Sequence, residues 1–181
     1  MDCNFLYNRN SNLFHLLRRQ MIRPFRIPLI LFTPKSLLRH PRCVSTLEDL
    51  SHGRFLEVID DTKAEATNIL KVLFCSGKIY YELLDKQEKD KRSDVAIIRM
   101  EQLNPFPLEQ LNNIVKKYSK ATHWILVQEE PEQMGAWTFM LRKFKGIPLQ
   151  YIGRKEAASP STGYHKQFLK EQNDIIERAY Q

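Results

Sequence analysis

Two adjacent carboxylates, Glu129 and Glu130, are the side chains of this sequence best suited by type to acid–base chemistry. They follow an apolar run over residues 123–127 that is typical of a strand. A helical pattern begins soon afterwards, over residues 134–141. Polar groups are therefore predicted at the carboxyl end of a strand and the amino end of a helix, where open α/β sheets place ligand and partner surfaces.

The spacing of these carboxylates limits what they can do together. Successive side chains of a strand point to opposite faces, so Glu129 and Glu130 have poor geometry for joint work on one substrate. Either one could act singly as a general acid or base. A contact between parts of the protein and a role at the helix end are the alternatives, and the residues alone leave all three open.

Other candidate groups carry weaker signals. Residues 76–78, Ser-Gly-Lys, follow another predicted strand, where amide groups at a helix start favour anions, but they lack the full glycine-rich phosphate loop. The five histidines, His15, His40, His52, His123 and His165, show no metal-ligand spacing, and no cysteine pair supports a zinc site. We therefore predict no self-sufficient catalytic centre and no metal site.

Composition bounds the class of protein. With 43 % hydrophobic residues, a chain of 181 residues can bury a core. No apolar run of about 18 residues predicts a membrane span, and the first residues lack a secretory pattern. Cys3, Cys43 and Cys75 are widely spaced, which favours reduced thiols over a disulfide framework, so we expect a cytoplasmic protein.

Positive charge is concentrated in the first third of the chain. Residues 1–54 carry nine Lys and Arg against three Asp and Glu, a net +6, whereas residues 55–181 carry nineteen against eighteen, a net +1. This indicates a solvated face, a surface for an acidic partner domain, or a site for a small anion. No nucleic-acid motif accompanies the charge, so we expect neither a nucleic-acid nor a membrane partner.

Hydrophobic periodicity predicts an α/β protein. A helix is predicted over 11–23, followed by a strand over 28–33 that is buried on both faces. Short helices are predicted over 34–41 and over 45–50, the second of them capped by Ser45, and a strand is predicted over 55–59. The later predicted strands are 72–75, 95–98, 123–127 and 149–152, and the later predicted helices are 78–90, 108–120, 134–144 and 163–180. Because strand and helix alternate four times, we expect a mostly parallel sheet with helices on both faces.

Several short motifs occur in order along the chain. They are Arg18-Arg-Gln20, Pro34-Lys-Ser-Leu-Leu-Arg-His-Pro41, Cys75-Ser-Gly-Lys-Ile-Tyr-Tyr-Glu-Leu-Leu84, Asp94-Val-Ala-Ile-Ile-Arg-Met-Glu-Gln-Leu103 with Pro105-Phe-Pro107, Gln128-Glu-Glu-Pro131, Gly135-Ala-Trp137, and Gly153-Arg154 with Ala158-Ser-Pro160. Together they resemble the carboxyl end of the 2-oxoglutarate dehydrogenase family. That enzyme uses thiamine diphosphate and Mg²⁺ to decarboxylate 2-oxoglutarate in the tricarboxylic acid cycle, and it passes a succinyl group to a lipoyl arm.

The resemblance implies a domain organisation. Residues 1–10 match nothing in the family, residues 11–68 correspond to the end of the pyrimidine-binding domain plus a linker, and residues 69–181 correspond to a three-layer transketolase C-terminal domain. The family binds its cofactor through a Gly-Asp-Gly motif that this sequence does not contain. We therefore expect a fragment that binds no cofactor and is inactive alone, or else a subunit of a split dehydrogenase.

Partners and sites also follow from the resemblance. The implied partners are a second copy in a homodimer, the upstream domains of the same enzyme, and the lipoyl-carrying succinyltransferase component. Arg19, Lys35 and Gln102 are similar to part of an acetyl-CoA effector site, although Glu109 and Gln110 replace basic residues there. Interface roles are implied for Gln128, Glu129, Glu130 and Trp137. A stand-alone module that binds an anionic nucleotide is the competing interpretation.

Overall fold

A five-stranded sheet organises the computed structural model, which describes residues 10–31 and 34–181. The strands are β1 (Val58–Ile59), β2 (Lys71–Cys75), β3 (Val95–Met100), β4 (His123–Pro131) and β5 (Leu149–Arg154), and their order in the sheet is β1-β3-β2-β4-β5. β2 pairs in parallel with β3 and with β4, and β4 pairs in parallel with β5. Only the two-residue β1 is antiparallel to its neighbour, β3.

Helices connect the strands and follow the amino-terminal segment. They are α1 (Asn10–Ile22), a 3₁₀ helix (Lys35–Arg39), α2 (Leu47–Ser51), α3 (Ile79–Lys89), α4 (Leu108–Lys117), α5 (Trp137–Lys143) and α6 (His165–Tyr180). The alternation of strand and helix from residue 71 onward confirms the predicted α/β class.

Every residue of β2 and β3 is buried, and their apolar runs over residues 72–75 and 95–98 are typical of strands covered on both faces. Alternate residues of each strand enter two separate cores. In β2, Val72 and Phe74 pack against α4 and α5, whereas Leu73 and Cys75 pack against α3 and α6. The arrangement is helix, sheet, helix, which confirms the predicted three-layer fold.

Polar and apolar contacts join α1 to the segment over residues 45–56 that precedes β1. Asn12 forms two hydrogen bonds with the backbone of Leu56, each 3.0 Å long. Nε2 of His15 lies 2.8 Å from the carbonyl oxygen of Asp49, so this histidine is a packed residue rather than a ligand. Leu16 is buried with Phe55, while the face of α1 that carries Leu17 is open.

Two predictions for the amino-terminal third are wrong. Residues 28–31 form neither helix nor strand, and Pro28 and Ile30 are exposed, so the apolar run is not a buried strand there; residues 32 and 33 of that prediction lie outside the described residues. Thr46, not Ser45, caps α2, because its hydroxyl accepts from the Asp49 amide while the Asp49 carboxylate accepts from the Thr46 amide. Ser45 instead accepts a hydrogen bond from the Ser11 amide.

Two further differences lie in the sheet domain. The helical period of residues 108–120 predicts Leu108, Leu111, Val115 and Tyr118 on the packed face of α4. Leu108 is instead 46 % exposed, and Ile114 joins Leu111 and Tyr118 in the core. β4 does not stop before the two glutamates, because its pairing with β5 resumes at Pro131 after a register shift.

Within the described residues, no helix combines the length and the apolar character that crossing a membrane requires. Cys43 and Cys75 are both buried, and Cys3 lies outside the described residues.

Candidate functional site at the carboxyl edge of the sheet

The topology of the sheet creates a crevice between the carboxyl ends of β2 and β4. The chain leaves β2 toward β3 on one side and returns to β4 on the other, so these two strands are the switch point of the sheet. Their last paired residues are Cys75 and Val127. In open α/β sheets a ligand binds at this point, outside the ends of the strands.

Here an ion pair between side chains of the chain itself occupies the crevice. Lys78, which precedes α3, contacts Glu129 at the end of β4 and lies 3.2 Å from the carboxylate of Glu82. The ring of Phe168 lies 5.7 Å from the Lys78 ammonium. The lysine of the turn at residues 76–78 is therefore used internally, rather than being directed at an external anion.

The electrostatics of this pair are set by burial and by two carboxylates. Burial lowers the pKa of Lys78, but Glu129 and Glu82 outweigh it and leave that pKa raised. Burial raises the pKa of Glu129, and the attraction of Lys78 offsets only part of that shift. A raised carboxyl pKa is one way to tune a general acid, but the Glu129 carboxylate is already engaged by Lys78.

Gln128 organises the turn that follows the ion pair. Its side chain is fully buried, and its Nε2 donates to the carbonyl oxygen of Met134 at 2.8 Å and to that of Pro131 at 3.2 Å. Its Oε1 accepts from the amides of Ala136 and Trp137, each at 3.1 Å. Ala136, the residue at the N-cap of α5, provides no side-chain hydrogen bond to the helix. The Gln128 side chain, from the preceding strand, therefore caps the amino end of α5.

Glu130 and Trp137 lie beside this turn and are half-buried. The carbonyl oxygen of Glu130 is 3.1 Å from the hydroxyl of Tyr151, and the rings of Trp137 and Tyr151 are 5.3 Å apart. Burial raises the pKa of Tyr151 to about 12, so its hydroxyl stays protonated at neutral pH. These contacts hold the register shift between β4 and β5 in place, and the interface roles of residues 128–130 and Trp137 stay predictions.

The three residues predicted for an effector site are only partly brought together. Nη1 of Arg19 donates to Oε1 of Gln102 at 3.0 Å, although 83 positions separate them in sequence. The Gln102 amide also donates to the carbonyl oxygen of Pro105 at 2.8 Å, and the Arg19 guanidinium lies 4.2 Å from the ring centre of Phe55. Lys35 is exposed on the 3₁₀ helix, and none of the contacts among the described residues joins it to the other two.

A basic cavity adjoins Arg19. It has a volume of about 530 Å³ and is lined by His15, by Phe55 and by four arginines, which are Arg18, Arg19, Arg23 and Arg54. Glu57 contributes one carboxylate to the lining, and the amide of Gln110 lies 3.4 Å from it. The excess positive charge of the first third of the sequence is thus focused partly on one concave surface.

Sequence reasoning missed a second polar cluster, at the end of β5. Nε of Arg154 lies 3.2 Å from the carboxylate of Glu171, which also accepts a 2.6 Å hydrogen bond from the hydroxyl of Thr162. Thr162 belongs to a loop and Glu171 to α6, so the cluster depends on how α6 folds back on the sheet. The available signal was three hydroxyl residues within four positions, Ser159, Ser161 and Thr162, shortly before a helix.

Within the described ranges, 10–31 and 34–181, no group of three or more His, Cys, Asp or Glu side chains is arranged to hold a metal ion. The sequence also lacks the Gly-Asp-Gly element that would hold the diphosphate of a thiamine cofactor with its metal. The residues present therefore do not fit that cofactor.

Comparison with known proteins gives relatives over nearly the whole chain. A 2-oxoglutarate dehydrogenase E1 component of Azotobacter vinelandii is 40 % identical over 179 residues, 94 % of this chain and 19 % of the relative. Another from Cupriavidus necator is 43 % identical over 94 % of this chain and 18 % of the relative. A 2-oxoadipate dehydrogenase complex component E1 of Xenopus laevis is 44 % identical over 90 % of this chain and 18 % of its own length.

The chain thus spans about a fifth of the length of these curated relatives. Residues 44–180 match the protein family described as "2-oxoglutarate dehydrogenase C-terminal". This match covers the sheet, the crevice between β2 and β4, and the loop and helix that follow β5. The chain therefore belongs to the 2-oxoglutarate dehydrogenase C-terminal family.

Proposed function

We propose that this chain supplies the carboxyl-terminal domain of a thiamine-dependent dehydrogenase that decarboxylates 2-oxoglutarate and transfers succinyl to a lipoyl arm. The observation that carries the proposal is the family match over residues 44–180, on a sheet whose predicted layers are all present. The domain's own part is structural: the buried turn around Gln128 and the Lys78–Glu129 pair fix the carboxyl edge of the sheet.

The chain alone is proposed to be inactive toward 2-oxoglutarate. Catalysis in such enzymes is cofactor chemistry that the protein positions, and the residues here do not fit that cofactor. The test is to assay the purified chain with 2-oxoglutarate, thiamine diphosphate and Mg²⁺, using an artificial electron acceptor. We expect no turnover above a no-protein control, and turnover would refute the proposal that the chain alone is inactive.

The substrate of the parent enzyme has a close competitor. The relative of Xenopus laevis and a Dictyostelium discoideum relative, 40 % identical over 99 % of this chain, are both named for 2-oxoadipate. 2-Oxoadipate is one methylene longer than 2-oxoglutarate, and one methylene is worth only about 1–3 kcal/mol of discrimination. Assays of any assembled enzyme should therefore include both acids.

Partners are proposed on the same basis: a second copy, the upstream domains of the enzyme, and a lipoyl-carrying succinyltransferase component. Complementation tests the upstream partner. The A. vinelandii relative, shortened by its matching carboxyl-terminal fifth, would be mixed with this chain and assayed for 2-oxoglutarate turnover. Recovery of turnover would favour a subunit of a split dehydrogenase, and no recovery would favour a fragment whose contacts must form within one chain.

A second candidate function is binding of an anionic nucleotide or acetyl-CoA at the basic cavity beside Arg19. It is favoured by the contact between Arg19 and Gln102 and by the four arginines of the lining. Calorimetry with acetyl-CoA and with AMP tests it. Heat that is lost in Arg19→Ala and reduced in the exposed Arg18→Ala would support an effector module, and absence of heat with either ligand would count against it.

A further inference from the structure

A second cavity, beside the edge strand β5, has no role in the proposed function. Its volume is about 640 Å³, and it lies between the end of β5, the loop over residues 155–164, and α6. Pro131, Ala157 and Ile175 give it apolar walls, and Arg154 lies in its lining. A volume of this size lies within the range of small-molecule sites.

Arg154 is the unusual member of the lining. Only 8 % of its side chain is exposed, although arginine is almost never buried unless its charge is paired. Its Nη1 reaches the Ser161 hydroxyl only at 3.5 Å, and among the described residues its Nη2 is buried without a hydrogen-bond partner. A buried, unsatisfied donor on a charged group is strongly destabilising in general, so a partner from outside the chain is expected.

The carboxylates near Arg154 do not provide hydrogen-bond acceptors for all of its buried donors. Glu171 is shared between Arg154, the Thr162 hydroxyl at 2.6 Å and the Gln167 amide at 2.8 Å. These two hydrogen bonds hold the pKa of Glu171 below its usual range. Glu171 is therefore ionised and forms an ion pair with Nε of Arg154, but among the described residues both Nε and Nη2 of Arg154 are buried without a hydrogen-bond partner.

The remaining charges of the lining are also engaged or lie outside. Asp174 pairs with Nε of Arg178 at 2.8 Å, and Nη2 of Arg178 donates to the carbonyl oxygen of Gly153 at 2.7 Å. Lys155 and Glu156 are both exposed, so their charges are screened by solvent. Arg154 is thus the buried charge of the lining whose pairing is incomplete.

We propose that this cavity binds a small organic carboxylate, with both carboxylate oxygens on Nη1 and Nη2 of Arg154 and the apolar part against Pro131, Ala157 and Ile175. The guanidinium fork matches a carboxylate in this geometry. Ser161 lies on the exposed loop, so the incoming carboxylate replaces the long 3.5 Å contact with two shorter, charge-assisted hydrogen bonds.

The test is a titration of the full 181-residue chain, labelled with ¹⁵N, with benzoate as the probe. Benzamide is the neutral probe of the same shape, and inorganic phosphate is an anion without an apolar part. We expect saturable shifts of the Gly153 and Gly163 amides with benzoate, and weaker binding of both other probes. Because no turnover is read out, the result does not depend on the proposed dehydrogenase function.

Matched variants connect the shifts to Arg154. Arg154→Lys keeps the charge but loses the fork, and we expect benzoate affinity to fall about tenfold or more, since hydrogen bonds to charged groups are strong. Arg142→Lys, on the exposed side of α5, should leave affinity unchanged. Ser161→Tyr leaves Arg154 intact and fills the mouth of the cavity from an exposed position, so it should abolish binding without altering the fold.

Three outcomes would overturn the proposal. Equal shifts with benzoate and benzamide would mean that no charge is recognised, and phosphate binding as tight as benzoate would remove the assigned carboxylate chemistry. Unchanged benzoate affinity in a folded Ser161→Tyr variant would place binding elsewhere. Absence of any saturable shift would mean that water alone satisfies Nη2 of Arg154.

Discussion

A Cβ atom added to Gly135 would lie 2.8 Å from Oε1 of Gln128, so the side chain of one residue occupies the space that the other leaves empty. Gly135 also has a positive φ of 69°, which few residues with a side chain adopt. The backbone turns sharply there, and the Gln128 amide fills the inside of the turn. The opening of α5 therefore depends on a side chain from β4.

Gly135→Ala is expected to be strongly destabilising. The left-handed backbone costs a residue with a Cβ about 1–2 kcal/mol, and displacing the Gln128 amide weakens hydrogen bonds worth about 1 kcal/mol each. We expect the free energy of unfolding to fall by about 2–4 kcal/mol in urea titrations. Gly146→Ala is the matched control, because nothing lies within 4 Å of its added Cβ; an equal loss in both variants would contradict the account.

Gln128→Leu tests the same turn from the side-chain end. It leaves the amides of Ala136 and Trp137 without their acceptor, and Ala136 is buried. Leaving buried groups unsatisfied costs about 1–3 kcal/mol, so the midpoint of urea unfolding should fall clearly. Gln150→Leu, at an exposed position of β5, should change the free energy of unfolding by less than about 0.5 kcal/mol.

The local sequence pattern was sufficient to predict the central strands of the sheet, but not where β4 ends. The runs in β2 and β3 are continuously apolar because both of their faces are covered, and this pattern is readable without tertiary information. At residues 128–131, Gln-Glu-Glu-Pro looked like the end of a strand, since glutamate and proline are depleted in strands. The strand continues because Pro131 pairs with Arg154 on the edge strand β5, a contact that depends on the packed sheet.

Contacts between side chains far apart in sequence show the same limit. Arg19 and Gln102 were assigned to one effector site only through the family resemblance; the structure places them in contact, and the effector site itself stays a prediction. The residues Arg154 and Glu171 are far apart in sequence, and no residue periodicity connects a strand end to the middle of a later helix. Only the packing of α6 against the sheet brings these charges within 3.2 Å.

Glu129→Gln should change how stability depends on pH. Because burial raises the pKa of Glu129 in the folded state, the folded chain holds this proton more tightly than the unfolded chain does. The contribution of Glu129 is therefore fully present below its unfolded pKa, about 4.3, and is lost as pH rises through the folded pKa. The wild type should lose stability relative to Glu129→Gln across this window, as measured by urea unfolding at a series of pH values.

Lys78→Met provides the contrasting variant at the same pair. It leaves Glu129 and Glu82 facing each other without their cation, and removing one partner of a largely buried pair costs about 3 kcal/mol. The loss should be largest at neutral pH, where the buried Glu129 carboxylate would ionise without its cation, and smaller in acid. A loss that does not depend on pH would show that Lys78 acts through packing alone.

The outward face of α1 is expected to make the chain self-associate. Leu17, Met21 and Ile22 are 48 %, 73 % and 70 % exposed, and contiguous exposed apolar surface of this kind marks interaction sites or aggregation. Replacing Leu17 and Met21 by Gln should shift sedimentation profiles toward the monomer without lowering the free energy of unfolding. Leu16→Ala, on the buried face with Phe55, should instead destabilise by about 2–5 kcal/mol and leave self-association unrelieved. If the Gln variant sediments like the wild type, α1 is not the associating surface.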